Sequence, residues 1–528
     1  QGTAKGAKAN ATKDNSLSWI WDNIVNYTWK KSVHSITATG VFSAQKYQYD
    51  RLYGASKDLS FNSLWYNLNG GAIESLSSNF SQWTMMSYVG RINYGLMDRY
   101  LLTASLRYDG SSRLSEGNKW ALFPSAAIAW RITEEDFAKN LDWLSNLKLR
   151  FSYGQAGNTN SVSPYASEGT ISGSVYYPFG TSTSVGNLPA NIANPMLTWE
   201  RTSEYNVGLD FGFLNQRISG NIEYYNRTTN DLLMKRNIPV HLGYSSVTSN
   251  VGSVRNSGFE LQLNTANIMT KNFAWNTTIN LAYNKNEIVS LADEEDLSNY
   301  SIHLQGMRGR YSDKRFIGKP VDTNWTQNTI GVWQLGEEEE AAKYGCVPGN
   351  FKIKDYNNDG KLTDDDYIID GKRPPDWTGG MTNMFKIYDF DFSFHMYFQA
   401  GATQYDRFFE NFALEWNSQN FNNLRTNYWT PENPSNTMGR PSQMGSRGNI
   451  AYERTDFLKV SYITLGYTLN KRLMSKWGLD NARIYVTVQN PFILTKFRGL
   501  DPEQPDLTNI GDTDGMTMNA LLGVNISF

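Results

Sequence analysis

The sequence predicts an all-β protein, a transmembrane antiparallel β-barrel contributing about fifteen strands from this chain. Three observations predict it. Apolar residues recur at every second position in segments of about ten residues. Aromatic content is 14%, from 31 Tyr, 26 Phe and 16 Trp. Connections between the segments alternate short and long, as expected when short turns lie on one side of a membrane and long loops on the other. No run of 18 or more apolar residues occurs, so a helical membrane protein is excluded.

The strands are expected near 19–29, 33–47, 85–97, 99–110, 120–131, 146–155, 203–213 and 216–228. They continue near 257–267, 273–284, 379–388, 390–401, 456–469, 481–492 and 519–528. The alternation is explicit in Tyr205, Val207, Leu209, Phe211 and Phe213, where every intervening residue is polar or Gly. It recurs in Phe273, Trp275, Ile279, Leu281 and Tyr283, and in Phe390, Phe392, Phe394, Met396 and Phe398. Between these lie Asp210, Gln262, Asp391, His395 and Gln489, so one face is greasy and the other wet. The last segment, Leu522 to Phe528, alternates to its final aromatic residue, as outer-membrane barrels commonly do.

Tight turns fall near 30–32, 98, 214–215, 268–272 and 389, and a small helical excursion near 132–146. Long extracellular loops are expected near 48–84, 156–202, 285–378 and 402–455. A soluble sandwich has no reason to gather every long loop at one end. Bacterial single-chain barrels carry an even number of strands with both termini periplasmic. An odd count therefore predicts that residue 1 lies within an extracellular loop and that further strands precede it. The polar start QGTAKGAKANATKDNS contains no signal-peptide core.

A net charge of −2 lacks the basic excess of a nucleic-acid binder. Cys346 alone permits no disulfide framework, and His34, His241, His303 and His395 show no metal-ligand spacing. The sharpest local motif is DYNNDGKLTDDD at 355–366. Asp355, Asn357, Asp359, the Lys361 carbonyl and Asp366 fall at calcium-loop positions 1, 3, 5, 7 and 12, with Gly360 at the sharp turn. Asp366 is shorter than the usual Glu, and no amphipathic helices flank the motif. The competing reading is a solvated Asn-Asp-Gly turn.

Trp29, Trp130, Trp143, Trp199, Trp275 and Tyr224 fall near strand ends, as an interfacial girdle requires. Trp65, Tyr66, Tyr176, Tyr177, Trp325, Trp333, Trp377, Trp416, Tyr428 and Trp429 lie in loops, where they either line a substrate path or pack the loops together. No substrate contact is assigned among them. The acid pairs Glu134/Glu135 and Asp364/Asp365 and the run 337–340 read as solvated surface, and no catalytic residue is assigned. The protein is expected not to be an enzyme.

Several ordered segments carry a resemblance: YDGSSR (108–113), FPSAAIAWRI (123–132), SYGQAGN (152–158), NPMLTWE (194–200), YNVGLDFGFLNQRISG (205–220), NVGSVRNSGFE (250–260), YITLGYTL (462–469) and QNPFILTKFRGLDPE (489–503). Together they resemble the SusC/RagA family of TonB-dependent outer-membrane transporters of Bacteroidetes. Pro491 departs from the larger apolar residue usual there. The resemblance implies the C-terminal part of a 22-stranded barrel, with the plug outside this chain. It also implies active import of oligosaccharides or peptides across the outer membrane. The implied partners are a SusD-like lipoprotein, TonB (acting through a missing N-terminal part), the remaining barrel strands with the plug, and lipid. Two rival readings are a passive porin, tested by conductance, and a soluble glycan-binding β-protein, tested by detergent-free extraction.

Overall fold

In a computed structural model the described residues are 7–61, 66–239, 241, 243–244, 246–413, 426–441, 446–470, 474, 478–504 and 516–528. Among them, fifteen strands form one antiparallel sheet whose spatial order is the chain order. They are β1 (Ala7–Lys31), β2 (His34–Leu59), β3 (Ala72–Leu96), β4 (Tyr100–Ser111), β5 (Trp120–Arg131), β6 (Leu144–Asn158), β7 (Glu200–Phe213) and β8 (Ile218–Asn230). They continue as β9 (Ser253–Met269), β10 (Phe273–Ser290), β11 (Trp377–Ile387), β12 (Phe390–Ala400), β13 (Phe457–Thr468), β14 (Asn481–Thr495) and β15 (Asn519–Ser527).

Each expected strand is present, and the largest departure is in length. β1, β2 and β3 run for 25, 26 and 25 residues, whereas a tilted strand crosses a bilayer in about 9–11. The expected loop 48–84 is therefore mostly ladder, and only residues 60–71 connect β2 to β3. Residues 48–59 carry no apolar stripe. Backbone pairing and polar cross-strand bonds hold them instead, such as Asn15 to Asp50 (2.8 Å) and Tyr49 to Asp14 (2.9 Å). A second departure is the connection between β8 and β9, which contains a hairpin pairing Leu233–Asn237 with Ser246–Asn250. The turn between β3 and β4 places Met97 and Asp98 both at positive φ (55° and 54°), which suits the twist of a two-residue hairpin.

The chain folds as two compact units. In the first, covering 1–130, 151–205 and 229–252, register puts Tyr100, Leu102, Leu106 and Tyr108 of β4 opposite Trp130, Ile128, Pro124 and Leu122 of β5. This face is apolar yet open: Leu102, Leu106 and Ile128 are 45, 53 and 57% exposed. The opposite face is zipped by polar bonds. Ser105 and Ser125 hydroxyls lie 2.6 Å apart, Thr103 donates to Asn93 (2.9 Å), and Arg107 donates to Asp109 and Ser87. Leaving large apolar side chains in water forfeits about 1.5–3 kcal/mol each. A continuous row of them is stable only out of water, as it would be against hydrocarbon. Beyond the strand ends a small core gathers Leu114, Phe123, Val162, Leu197 and Trp199.

The second unit covers 131–150, 206–228 and 253–528. Its sheet repeats the division, with Leu465, Val486 and Val524 exposed on one face. The described residues of its two long connections, 291–376 and 401–456, are folded rather than loose. Short ladders pair Thr323–Gln327 with Tyr367–Lys372 and Thr329–Val332 with Phe351–Ile353. A third pairs Thr403–Tyr405 with Tyr452–Arg454. Helices α1 (Glu338–Lys343) and α2 (Arg407–Ala413) join them. Val332, Phe351, Ile353, Phe409, Trp429 and Met438 form one buried cluster, and Leu297, Leu304 and Phe316 another.

Candidate functional site

The 355–366 motif closes on itself through backbone donors. Asp355 accepts from the Asn358 and Gly360 amides (2.6 and 2.9 Å) and from the Tyr344 hydroxyl (3.1 Å). Asn357 accepts from the Asp359 amide, and Asp359 from the Lys361 amide. Asp366 is fully buried, with one oxygen accepting from Tyr356 N (2.8 Å) and the other from Thr363 N (2.9 Å). Gly360 sits at φ 78°, where only glycine is unstrained. The donor set of carboxylates, a carboxamide and a carbonyl suits a hard cation. Among the described residues, however, no three His, Cys, Asp or Glu side chains converge on one point. One loop thus carries Asp355, Asn357, Asp359, Lys361 and Asp366, with its carboxylates turned to separate backbone amides.

Most loop tryptophans pack the loops. Trp333 and Trp429 are buried, Trp429 donating to Gln334 Oε1 (3.0 Å) and Trp333 stacking on Tyr344. Trp325 packs against Phe316 and Tyr367. Trp377, expected in a loop, is instead the first residue of β11: the ladder to β10 pairs it with Tyr283, and its ring packs on Tyr283 and Phe259 of the neighbouring strands. Tyr66, Tyr176, Tyr177 and Tyr428 are exposed. Trp65 and Trp416 lie outside the described residues. Trp199, expected in an interfacial girdle, is instead buried: it meets Phe123 edge-on and donates to the Lys119 carbonyl (2.9 Å). Its strand-end position misled because the strand end is capped by a loop core.

The acid pairs are occupied locally. Glu134 pairs with Arg131 (3.0 Å). Glu337 accepts from Lys352 (2.8 Å) and from the Gln334 amide, which hold its carboxyl below the usual range. Asp406 is the strained acid of the loops. It is completely buried at the start of α2, one oxygen accepting from Phe409 N (2.9 Å) and the other making no hydrogen bond. Burial pushes its carboxyl up to about 6, with Glu453 adding to the rise and Arg498 opposing it.

On the polar face of the second unit, Arg150 binds Asp210 through two nitrogens (2.8–3.1 Å) and Glu223 through one (2.8 Å), with Lys148 3.5 Å from Asp210. Beside Glu223 lies a cavity of about 420 Å³. It is lined from five strands, β8 to β12, and includes Glu260, Gln262, Asn280, Ala282, Gly380, His395 and Tyr397. Sequence reading identified Gln262 and His395 only as wet-face residues. The readable signal was the Gly379–Gly380 pair inside a strand, which marks a close approach or a cleared space.

The family of TonB dependent receptor-like β-barrels matches residues 4–378. TonB-dependent receptor P26 of Formosa agariphila is 32% identical over 548 residues, covering 99% of this chain and 54% of that protein. TonB-dependent receptor SusC of Bacteroides thetaiotaomicron is 35% identical over 457 residues, covering 84% of this chain and 44% of that protein. The structure of the RagAB peptide transporter superposes with a TM-score of 0.80 at 23% identity, covering 99% of this chain and 56% of that one. That likeness concerns the fold. The chain spans about half the length of the curated relatives it matches.

Proposed function

This chain belongs to the TonB-dependent receptor β-barrel family and so lies in the bacterial outer membrane, and from that premise we propose that the whole protein is an active nutrient importer. The observation that carries the reading is the two-faced sheet. Its apolar face is exposed where register aligns Leu102 with Ile128, and its polar face is bonded across Ser105 and Ser125. Such a wall separates hydrocarbon from a wet interior. TonB supplies the energy through a plug segment outside these 528 residues, and a SusD-like lipoprotein delivers an oligosaccharide or peptide at the long-loop end. This chain contributes wall and loops and performs no covalent chemistry.

Uptake in cells tests the reading. Deleting the gene, or inactivating TonB in its presence, abolishes accumulation of the cargo. Accumulation that persists without TonB contradicts active import and favours a passive pore. The loop 355–366 is a candidate calcium loop in the same proposal, with Asp355, Asn357, Asp359, Asp366 and the Lys361 carbonyl as oxygen donors. Its spacing supports that role. Added Ca²⁺ raises hydrogen-exchange protection of residues 355–366, and no change on adding millimolar Ca²⁺ contradicts it.

A further inference from the structure

Three segments of the second unit meet at Asp406. The first is α2, whose Phe409 amide donates to one carboxyl oxygen (2.9 Å). The second is the ladder strand Tyr452–Arg454, fastened just before its start, where the Asp406 amide donates to the Ala451 carbonyl (2.8 Å). The third is residues 497–504, which follow the end of β14. They roof the other carboxyl oxygen, which makes no hydrogen bond although Asp406 is completely buried. Gly499 stands over it: a Cβ there would lie 2.9 Å from that oxygen and 2.5 Å from the Phe497 ring. Gly499 has no positive φ, so here glycine serves a close approach and not a turn.

The roofing segment is held near both ends. Arg498 donates to Glu453 from its amide (3.1 Å) and its guanidinium, donates to the Ile450 carbonyl (3.1 Å), and lies 3.7 Å over the Phe409 ring. Glu503 pairs with Lys459, which stands opposite Tyr397 in the ladder of β12 and β13, on the wet face. Between these ties Asp501 accepts from the Glu503 amide (2.9 Å), which makes the segment a stiff strap. A buried carboxylate short of donors and water is costly. Water reaches the open oxygen of Asp406 most readily from the strap side, because partly exposed ion pairs are the weakest ties around it.

We propose that residues 497–504 are a pH-gated strap across the loop end of the wet face, latched while Asp406 is protonated and lifted when Asp406 ionises and takes up water. Burial holds the carboxyl protonated up to about 6, so the latched state is favoured below that pH and lost above it. Two charges face it. Glu453, from the ladder strand, opposes ionisation; Arg498, from the strap, favours it but is already engaged by Glu453. On α2, Arg407 follows it in the chain, and Glu410 is engaged by Tyr405 and Arg447. Arg454 is paired with Asp456, and burial raises the Tyr405 and Tyr452 phenols away from this range. The movement needs neither cargo nor TonB. Only its consequence, a wet face opened beside Lys459, rests on the import reading.

The test uses the full-length protein in nanodiscs, with spin labels at 339 and 500 in a Cys346→Ser background and double electron–electron resonance as the readout. In otherwise wild-type protein the distance distribution shifts between pH 5 and pH 8, with its midpoint near 6. Asp406→Asn, a neutral stand-in for the protonated acid, keeps the pH 5 distribution at both values. Gly499→Ala, whose Cβ meets the open oxygen and the Phe497 ring, shows the pH 8 distribution already at pH 5. Heat-modifiable migration on gels checks that each variant is folded. No shift without these substitutions, an equal shift in folded Asp406→Asn, or an unaltered pH profile in folded Gly499→Ala overturns the proposal. Because the readout involves no transport, any of these results leaves the import reading standing, and loss of TonB-dependent uptake leaves the strap standing.

Discussion

The sheet and the long connections of the second unit obey opposite rules. In the sheet, Leu465, Val486 and Val524 point outward and stay exposed, while Arg150, Asp210 and Glu223 bind one another on the other face. In the connections, Leu304, Phe316 and Phe351 are buried, while Glu338 to Glu340 face solvent. The same chain is inside-out in one region and water-soluble in design in the other. The difference identifies the medium each region meets: hydrocarbon around the sheet, water around the connections.

Substitutions can break that comparison. Phe316→Ala empties the loop core and costs about 3–5 kcal/mol of local stability. Hydrogen exchange should show residues 295–316 losing protection while β13 to β15 keep theirs. Leu106→Arg, on the exposed apolar face, costs about 2–4 kcal/mol if near the bilayer midplane. Refolding into liposomes measures it, and Leu106→Gln in detergent-free water-soluble surroundings would be harmless were that face wet. Equal tolerance of Arg in liposomes would erase the distinction.

Asp406 sharpens it through pH. Its folded carboxyl titrates at about 6, above its ordinary value, so folding favours the protonated form. Its contribution is fully present below about pH 4 and is lost as pH rises through 6, amounting to about 2–3 kcal/mol. Glu453 and Arg498 face it, and Glu410 lies one turn along α2. Asp406→Asn keeps an acceptor for Phe409 N and removes the titration. Loop protection measured from pH 4 to 8 should fall in the wild type and stay level in the variant. Smaller still, Asp366→Ala strands the Tyr356 and Thr363 amides and costs about 1–3 kcal/mol, read as faster exchange at those two amides.

The sequence made the sheet legible because lipid on one face and water on the other impose period two on residues such as Tyr205 to Phe213. Where that constraint stops, legibility stops. Residues 48–59 extend β2 by pairing alone, so their pattern looked like a loop. The loop cores were hidden for a different reason. Trp199 and Trp429 are buried by long-range contacts, Trp199 against Phe123 and Trp429 beside Gln334, which no local period encodes. The wet-face cavity was hidden too, since it needs the registers of β9 to β12 to set Gly380 beside Asn280 and Tyr397.

The central claim is that the apolar face of the sheet meets lipid. Spin labels placed one at a time at 102, 106 and 128, and at 103, 105 and 125, in a Cys346→Ser background in bilayers, test it most directly. The account predicts that labels replacing Leu102, Leu106 and Ile128 collide with dissolved oxygen and are shielded from a polar nickel relaxant. Labels replacing Thr103, Ser105 and Ser125 should show less oxygen contact. Shielding of the first set from both relaxants would mean a dry protein interior, and would contradict the account.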